Sequence, residues 1–87
     1  MYPGKPTLIR LRCHTSLLSS LSDFFGSAII EYTKPDDDAF TRVTLRASET
    51  GTRLFALQYT DRVEVLEPQS LRNEVAHTLR DAAERYR

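Results

Sequence analysis

Strict alternation of apolar and polar residues is the feature that most constrains how this chain folds. In residues 7–13, Ile9, Leu11 and Cys13 occupy every second position, and Leu8, Arg10 and Arg12 lie between them. Successive side chains of a β-strand point to opposite faces, so this stretch predicts a half-buried strand. Similar patterns predict three more strands, at residues 27–33, 40–47 and 62–66.

The alternation also predicts which side chains face the core. In the three later strands we expect the inward positions to be Ala28, Ile30 and Tyr32, then Val43, Leu45 and Ala47, then Val63 and Val65. Between the second and third strands lies a polar turn that contains Pro35 and the three aspartates Asp36, Asp37 and Asp38. These two strands are therefore predicted to form a hairpin.

Three helices are predicted from apolar residues at three- and four-residue steps. The first follows the opening strand, with Thr15 or Ser16 as its cap and Gly26 at its end. The second begins at Ser48 and extends to about residue 59. The third begins near Gln69 and presents an apolar stripe formed by Leu71, Val75, Leu79, Ala82, Ala83 and Tyr86.

The predicted order is strand, helix, strand, strand, helix, strand, helix. The first six elements form two βαβ-like halves, which is the arrangement of a ferredoxin-like sandwich. The sequence therefore predicts an α+β fold, a ferredoxin-like βαββαβ sandwich with an additional C-terminal helix. Residues 7–87 are expected to form this single domain, and residues 1–6 a linker or a cloning-derived end.

Composition excludes several classes of function. Twelve basic and twelve acidic residues give a formal net charge of zero, so bulk charge does not favour binding to nucleic acid. The single cysteine, Cys13, cannot form an internal disulfide and favours a reducing, cytoplasmic location. No apolar run is long enough to suggest a membrane span. We expect no cofactor and no bound metal.

Candidate catalytic residues are few and dispersed. His14 and His77 fall on different elements, and His77 has Glu74 and Asp81 at helical spacing, which is typical of a solvated helix face. Cys13 falls on the buried side of its strand, where a thiol is usually inert. The three aspartates of the hairpin turn lack the spacing of a calcium-binding loop. We therefore predict a protein that is not an enzyme.

Arginines recur at the outward positions of the first and third strands, which are central neighbours in a ferredoxin-like sheet. These are Arg10, Arg12, Arg42 and Arg46, with Arg62 as a candidate addition from the fourth strand. Arginine pairs well with phosphate and carboxylate groups, so this surface is predicted to hold an anionic effector or to form an interface. A solvated sheet face, or one covered by the last helix, is the alternative. Outward positions at Leu8, Ile29 and Leu66 favour a covered face.

The C-terminal stretch VEVLEPQSLRNEVAHTLRDAAERY resembles the C-terminal extension domain (WCX) of WYL-domain transcriptional regulators. That family tends to end in a V-x-V-L-x-P strand, then Leu-Arg, then an amphipathic helix that closes on a tyrosine. The corresponding residues here are Val63, Val65, Leu66, Pro68, Leu71, Arg72 and Tyr86. The first half of the chain matches the family more loosely.

The resemblance implies a domain of a bacterial regulator that also has a helix-turn-helix and a WYL effector-sensing domain. It implies a regulatory and dimerisation role that supports effector sensing by the adjoining domain, with nucleic acid as the effector in some members. We expect a homodimer and no specific binding of duplex DNA by this domain alone. Two other interpretations remain: a free-standing ferredoxin-like module that binds a small ligand in a pocket between helices, and a small enzyme that uses a histidine.

Overall fold

Two long antiparallel strands form the centre of the domain. The computed structural model describes residues 4–37 and 39–87, with the backbone alone for residues 34–37. β1 (Pro6–His14) pairs with β3 (Phe40–Ser48) along its whole length. The predicted inward residues Ile9, Leu11 and Cys13 are buried, as are Val43 and Leu45 of β3. The alternating pattern therefore predicted both the strands and their buried face.

Two edge strands complete a four-stranded sheet. β2 (Ile29–Asp37) pairs with β3, and β4 (Val63–Glu67) pairs with β1, giving the order β2-β3-β1-β4. Val63 and Val65 are buried, as predicted. The order and the antiparallel pairing are those of a ferredoxin-like sheet, so the predicted fold class is confirmed.

The assignment of inward-facing residues in β2 is partly wrong. Ile29 lies opposite Leu45 and packs against the core, whereas Ile30 is exposed. The register shifts between Ile29 and Glu31, so one extra residue separates the inward positions Ile29 and Tyr32. Ile29 was predicted to point outward and Ile30 inward, and this irregularity reverses both assignments.

The hairpin between β2 and β3 is tighter than predicted. The strand backbone continues through Asp37, which lies opposite Phe40. Asp38 and the side chains of Asp36 and Asp37 lie outside the described residues, as does part of the predicted linker at residues 1–6.

The first helix begins with a different cap from the one predicted. A 3-10 turn (Thr15–Leu17) leads into α1 (Leu18–Phe25), and the ring nitrogen Nδ1 of His14 accepts a hydrogen bond from the Ser16 N–H at 3.1 Å. Thr15 instead donates its hydroxyl to the Ala39 carbonyl at 2.9 Å, which ties this turn to the start of β3. Gly26 ends the helix with a φ of +51°, as its position predicted.

The second helix supplies the largest buried side chain. Ser48 caps α2 (Glu49–Gln58) by accepting a hydrogen bond from the Gly51 N–H at 3.0 Å. Phe55 is buried between α1 and the sheet, and its ring lies about 5 Å from three aromatic neighbours: Phe24 (5.1 Å), Phe25 (5.3 Å) and Tyr59 (5.0 Å). This aromatic cluster joins the first two helices.

The third helix is docked only along its first half. In α3 (Gln69–Glu84), Leu71 and Val75 are buried in the core. Leu79 is 38% exposed and Tyr86 is 89% exposed, so the predicted stripe does not continue as core. The helix is about 24 Å long and the β4 strand beside it about 17 Å, so α3 is longer than the strand on which it packs.

All three helices pack on the same face of the sheet. Their buried residues form one cluster with the inward side chains of the strands, and α3 lies against α2 and β4. In the part of the chain that the structure describes, no helix packs on the opposite face, so the last helix does not cover the arginine-bearing surface. None of the described helices is long and apolar enough to cross a membrane.

Candidate functional site

The four predicted arginines lie together on the open face of the sheet. Arg12 is directly opposite Arg42, and Arg46 is directly opposite Leu8. Arg10 lies opposite Thr44, one step along the same face. We call the surface formed by Arg10, Arg12, Arg42 and Arg46 the arginine face.

Glutamates of β4 compensate part of the charge of this face. The Arg10 guanidinium lies 3.3 Å from the Glu67 carboxylate, and that of Arg12 lies 3.9 Å from Glu64. Glu64 is shared, because Arg72 of α3 donates to it at 2.6 Å. Each of the two arginines of β1 thus has an acidic neighbour on the edge strand β4. The pairing register between β1 and β4 brings these residues together.

Arg12 also contacts an aromatic ring. The guanidinium carbon of Arg12 lies 4.2 Å from the centroid of the Phe40 ring, which is a cation–π contact. The His14 ring packs edge-on against Phe40, with centroids 5.2 Å apart. Phe40 therefore contributes to positioning Arg12.

Arg42 and Arg46 place two positive charges on β3, and Glu31 of β2 lies opposite Thr44, between them. Arg46 is exposed and has no ion pair among the described residues. Like charges directly opposite each other on paired strands repel, which applies to Arg12 and Arg42. A phosphate or carboxylate placed between these two strands would relieve that repulsion and gain charge-assisted hydrogen bonds.

The other outward positions differ in their surroundings. Leu8 is 43% exposed beside Arg46, and Leu66 is half-buried. Ile29 packs into the core and so does not belong to this face. Arg62 lies just before β4, and its guanidinium carbon is 5.4 Å from the Tyr59 ring centroid, in the helix layer. It therefore does not extend the arginine face.

The residues of the family motif have mainly packing roles. Val63, Val65 and Leu71 are buried in the core, and Pro68 immediately precedes α3. Arg72 donates to the Val65 carbonyl oxygen at 2.9 Å as well as to Glu64, which ties α3 to the open edge of β4. Tyr86 lies at the exposed end of the chain, away from these contacts.

The histidines do not assemble into a catalytic group. His14 serves as a helix cap, and His77 lies 3.3 Å from Asp81 on an exposed surface of α3. Glu74 pairs instead with Arg53 of α2 at 3.2 Å, a contact that the sequence did not predict. Among the residues whose side chains the structure describes, no three candidate ligands come close enough to hold a metal ion.

Burial protects the Cys13 thiol. Removal from solvent raises the pKa of Cys13 from 9.0 to about 11, and the positive charge of Arg62 partly opposes that rise. The sulfur donates weakly to the carbonyl oxygen of His14, at 3.5 Å. Since the thiolate is the reactive form, this cysteine is a packing residue of β1.

Because the pKa of Cys13 is higher in the folded state, the thiol stabilises the fold below pH 9, and this contribution is lost as the pH rises through about 11. We expect the difference in free energy of unfolding between the wild type and Cys13→Ala to shrink by about 2 kcal/mol between about pH 8 and about pH 10.5. Urea melts at both pH values measure it. A difference that stays constant between these two pH values would contradict the raised pKa.

Comparison with known proteins agrees with this architecture. The family model of the WCX domain matches residues 5–83, which is most of the chain and includes all four strands. A search of the curated proteins found no match. With the four-stranded sheet, the three helices and the buried motif residues in place, the match shows that this chain belongs to the WCX domain family.

Proposed function

We propose that this chain is a non-enzymatic regulatory domain of a WYL-type bacterial transcriptional regulator, and that it supports effector sensing by the adjoining domain. Membership of the WCX family supports the regulatory role. The main structural support is the arginine face, a sheet surface that no described helix covers. The proposal includes a cytoplasmic location, with the WYL and helix-turn-helix domains as partners.

The arginine face would bind an anionic effector, and a phosphate backbone is the class that fits it best. Guanidinium groups bind phosphate oxygens with two parallel hydrogen bonds, and arginine is the preferred residue for such contacts. Arg42 and Arg46 lie on β3, away from Glu64 and Glu67 on the far side of β1. An anion would contact Arg46 first, because Arg46 is exposed and forms no ion pair within the described residues, and Arg12 would lie at the margin of that contact.

The same face suits an interface as well as an effector. Leu8 is exposed next to Arg46, so a covering surface would gain apolar contact together with charge. The proposal includes a homodimer in which the faces of two copies, or of one copy and an adjoining sensing domain, form a shared groove. The effector would then lie between the two surfaces.

Binding of a labelled single-stranded oligonucleotide, used as a probe of phosphate contacts, tests this role by fluorescence anisotropy. We expect affinity to fall with salt concentration. Arg42→Ala with Arg46→Ala should reduce the slope of log K against log salt concentration by about 1.4, or about 0.7 for each phosphate that is no longer neutralised. The matched control is Arg80→Ala with Arg85→Ala, which removes the same charge from α3 and from the residue that follows it.

A smaller slope in the β3 double variant alone would support the arginine face as the binding surface. Equal reductions in both double variants would show that general charge drives the binding. An oligonucleotide that does not bind at low salt would remove the phosphate backbone from the proposal.

A further inference from the structure

The fourth strand forms an edge of the sheet. β4 is the last strand in the order β2-β3-β1-β4 and pairs with β1 on its inner side. The His14 N–H donates to the Arg62 C=O at 2.7 Å, and hydrogen-bonded residues alternate along an antiparallel pair. The N–H and C=O groups of Val63 and Val65 therefore point away from β1, toward the outer edge.

Two of these four outward groups already have partners. The Val63 N–H donates to the Tyr59 C=O at 3.0 Å, and the Val65 C=O accepts from Arg72 at 2.9 Å. The Val63 C=O and the Val65 N–H have no partner among the described residues. This acceptor and this donor lie on either side of Glu64 and point the same way, which is the spacing that an added antiparallel strand requires.

A groove lies beside this edge, between β4 and α3, and its volume is about 320 Å³. Both elements supply its apolar lining, namely Val63, Val65, Val75, Ala76 and Leu79. Leu79 is 38% exposed, whereas Val75, one turn earlier on the same helix, is buried. The groove therefore offers apolar surface to the side chains of a strand that pairs with β4.

An arginine without an ion pair lines the same groove. Arg80 is exposed and forms no ion pair within the described residues. Arg72, the other arginine of the lining, pairs with Glu64 at 2.6 Å. The nearest acidic residues of α3 contact other side chains: Asp81 contacts His77, and Glu84 contacts Arg87. Because Arg72 contacts Val65, Arg80 lies about two turns further along α3, toward the start of β4.

We infer that the edge of β4 binds an extended peptide segment of a partner protein, antiparallel to β4, with the pattern apolar–x–apolar–x–acidic. The backbone of this segment would donate to the Val63 C=O and accept from the Val65 N–H. Every second side chain of an added strand points to the helix side, so the two apolar residues would enter the groove and the acidic residue would reach Arg80. The inference does not rest on the proposed function, because it uses the edge of the sheet and not the arginine face.

A second copy of this chain fits the edge less well than such a peptide. A two-fold axis at the edge would pair two β4 strands through the same donor and acceptor groups, and would place Glu64 directly opposite its own copy. Like charges directly opposite each other on paired strands repel. A peptide with a neutral residue at that position avoids this repulsion.

Nuclear magnetic resonance titration of the ¹⁵N-labelled chain with the blocked peptide valine–threonine–valine–threonine–glutamate tests the inference. We expect a saturable downfield shift of the Val65 amide proton, because this proton gains a hydrogen bond. A Val65 amide that does not respond to the peptide would overturn the inference.

Backbone methylation of the peptide tests strand addition directly. Methylation of the nitrogen of the second valine removes the donor to the Val63 C=O, and it should weaken binding at least about threefold. The same methylation at the first threonine is the control, since that N–H points to solvent in the added strand, and the affinity should be retained. Equal weakening by the two methyl groups would contradict strand addition.

Two variants of the protein locate the groove and the charge. Leu79→Ala should weaken peptide binding at least about threefold, whereas Leu54→Ala, which changes an equally exposed leucine of α2, should leave it unchanged. Arg80→Gln should weaken binding of this peptide but not of a version that ends in glutamine. Retained affinity in both Leu79→Ala and Arg80→Gln would overturn the site. A Val65 amide shift that depends on protein concentration without peptide would assign the edge to a second copy instead.

Discussion

Replacing Phe55 with alanine should lower the free energy of unfolding by about 3–5 kcal/mol, the usual cost of truncating a buried aromatic residue. Phe55 is 1% exposed and contacts the rings of Phe24, Phe25 and Tyr59. The substitution removes apolar burial and leaves a cavity between two helices and the sheet. Small domains are stable by only about 5–15 kcal/mol in total, so this substitution should remove a large part of the stability of the fold.

The neighbouring residue offers a matched control for this prediction. Leu54 lies on the same helix but is 38% exposed, so Leu54→Ala should cost less than about 1 kcal/mol. Chemical denaturation followed by circular dichroism gives both values. Similar destabilisation in the two variants would mean that the aromatic cluster is not the centre of the core.

Leu71→Ala is expected to have the second largest effect, a destabilisation of about 2–4 kcal/mol. Leu71 is 1% exposed and joins the first turn of α3 to the core. The apolar stripe alone predicts the same cost for Leu79, because both residues lie on one side of the helix. In the structure Leu79 is 38% exposed, and that expectation is wrong.

The two leucines of α3 can be compared in one experiment. Leu79→Ala should cost less than about 1 kcal/mol, since the leucine side chain is already partly in contact with solvent. Urea melts of both variants at the same pH measure the difference. If Leu71→Ala cost less than about 0.5 kcal/mol, α3 would be undocked in solution.

The sequence predicted the fold well where one face of an element is buried. The alternation in β1 and β3 identifies both the strands and their inward residues, because a polar side chain at an inward position would be costly. The order of the elements then limited the topology to the ferredoxin-like arrangement. The strands that the pattern describes most clearly are also the two central strands of the sheet.

The pattern was less informative at the sheet edge and at the helix ends. In β2 the register shift after Ile29 inserts an extra residue, and composition gives no sign of it. The cap of the 3-10 turn before α1 depends on the His14 ring reaching the Ser16 amide, a contact that cap preferences do not predict. The helical period of α3 continues beyond Val75, the last buried residue of the helix, so periodicity alone could not show where docking stops.

The alternating pattern predicted the positions of the arginines of the arginine face, but not the ion pair of Arg10 with Glu67 or the sharing of Glu64 with Arg72. The alternating pattern places Arg10 and Arg12 outward, as the structure does. Their glutamate neighbours come from β4, across a register that shifts between Arg10 and Leu11. Such pairing depends on the register between strands, which cannot be read from spacing along the chain.

β1 is the first of the four strands to leave the ribosome. Its pairing with both neighbouring strands, however, cannot be completed until most of the domain has been synthesised. Its neighbours are β3, from the middle of the chain, and β4, from the last third. Pairing of distant segments requires the intervening chain to be present and the loop to close. Leu71 and Val75, which complete the core, emerge later still. The apolar side of a nascent β1 is therefore the surface that a chaperone would need to shield during translation.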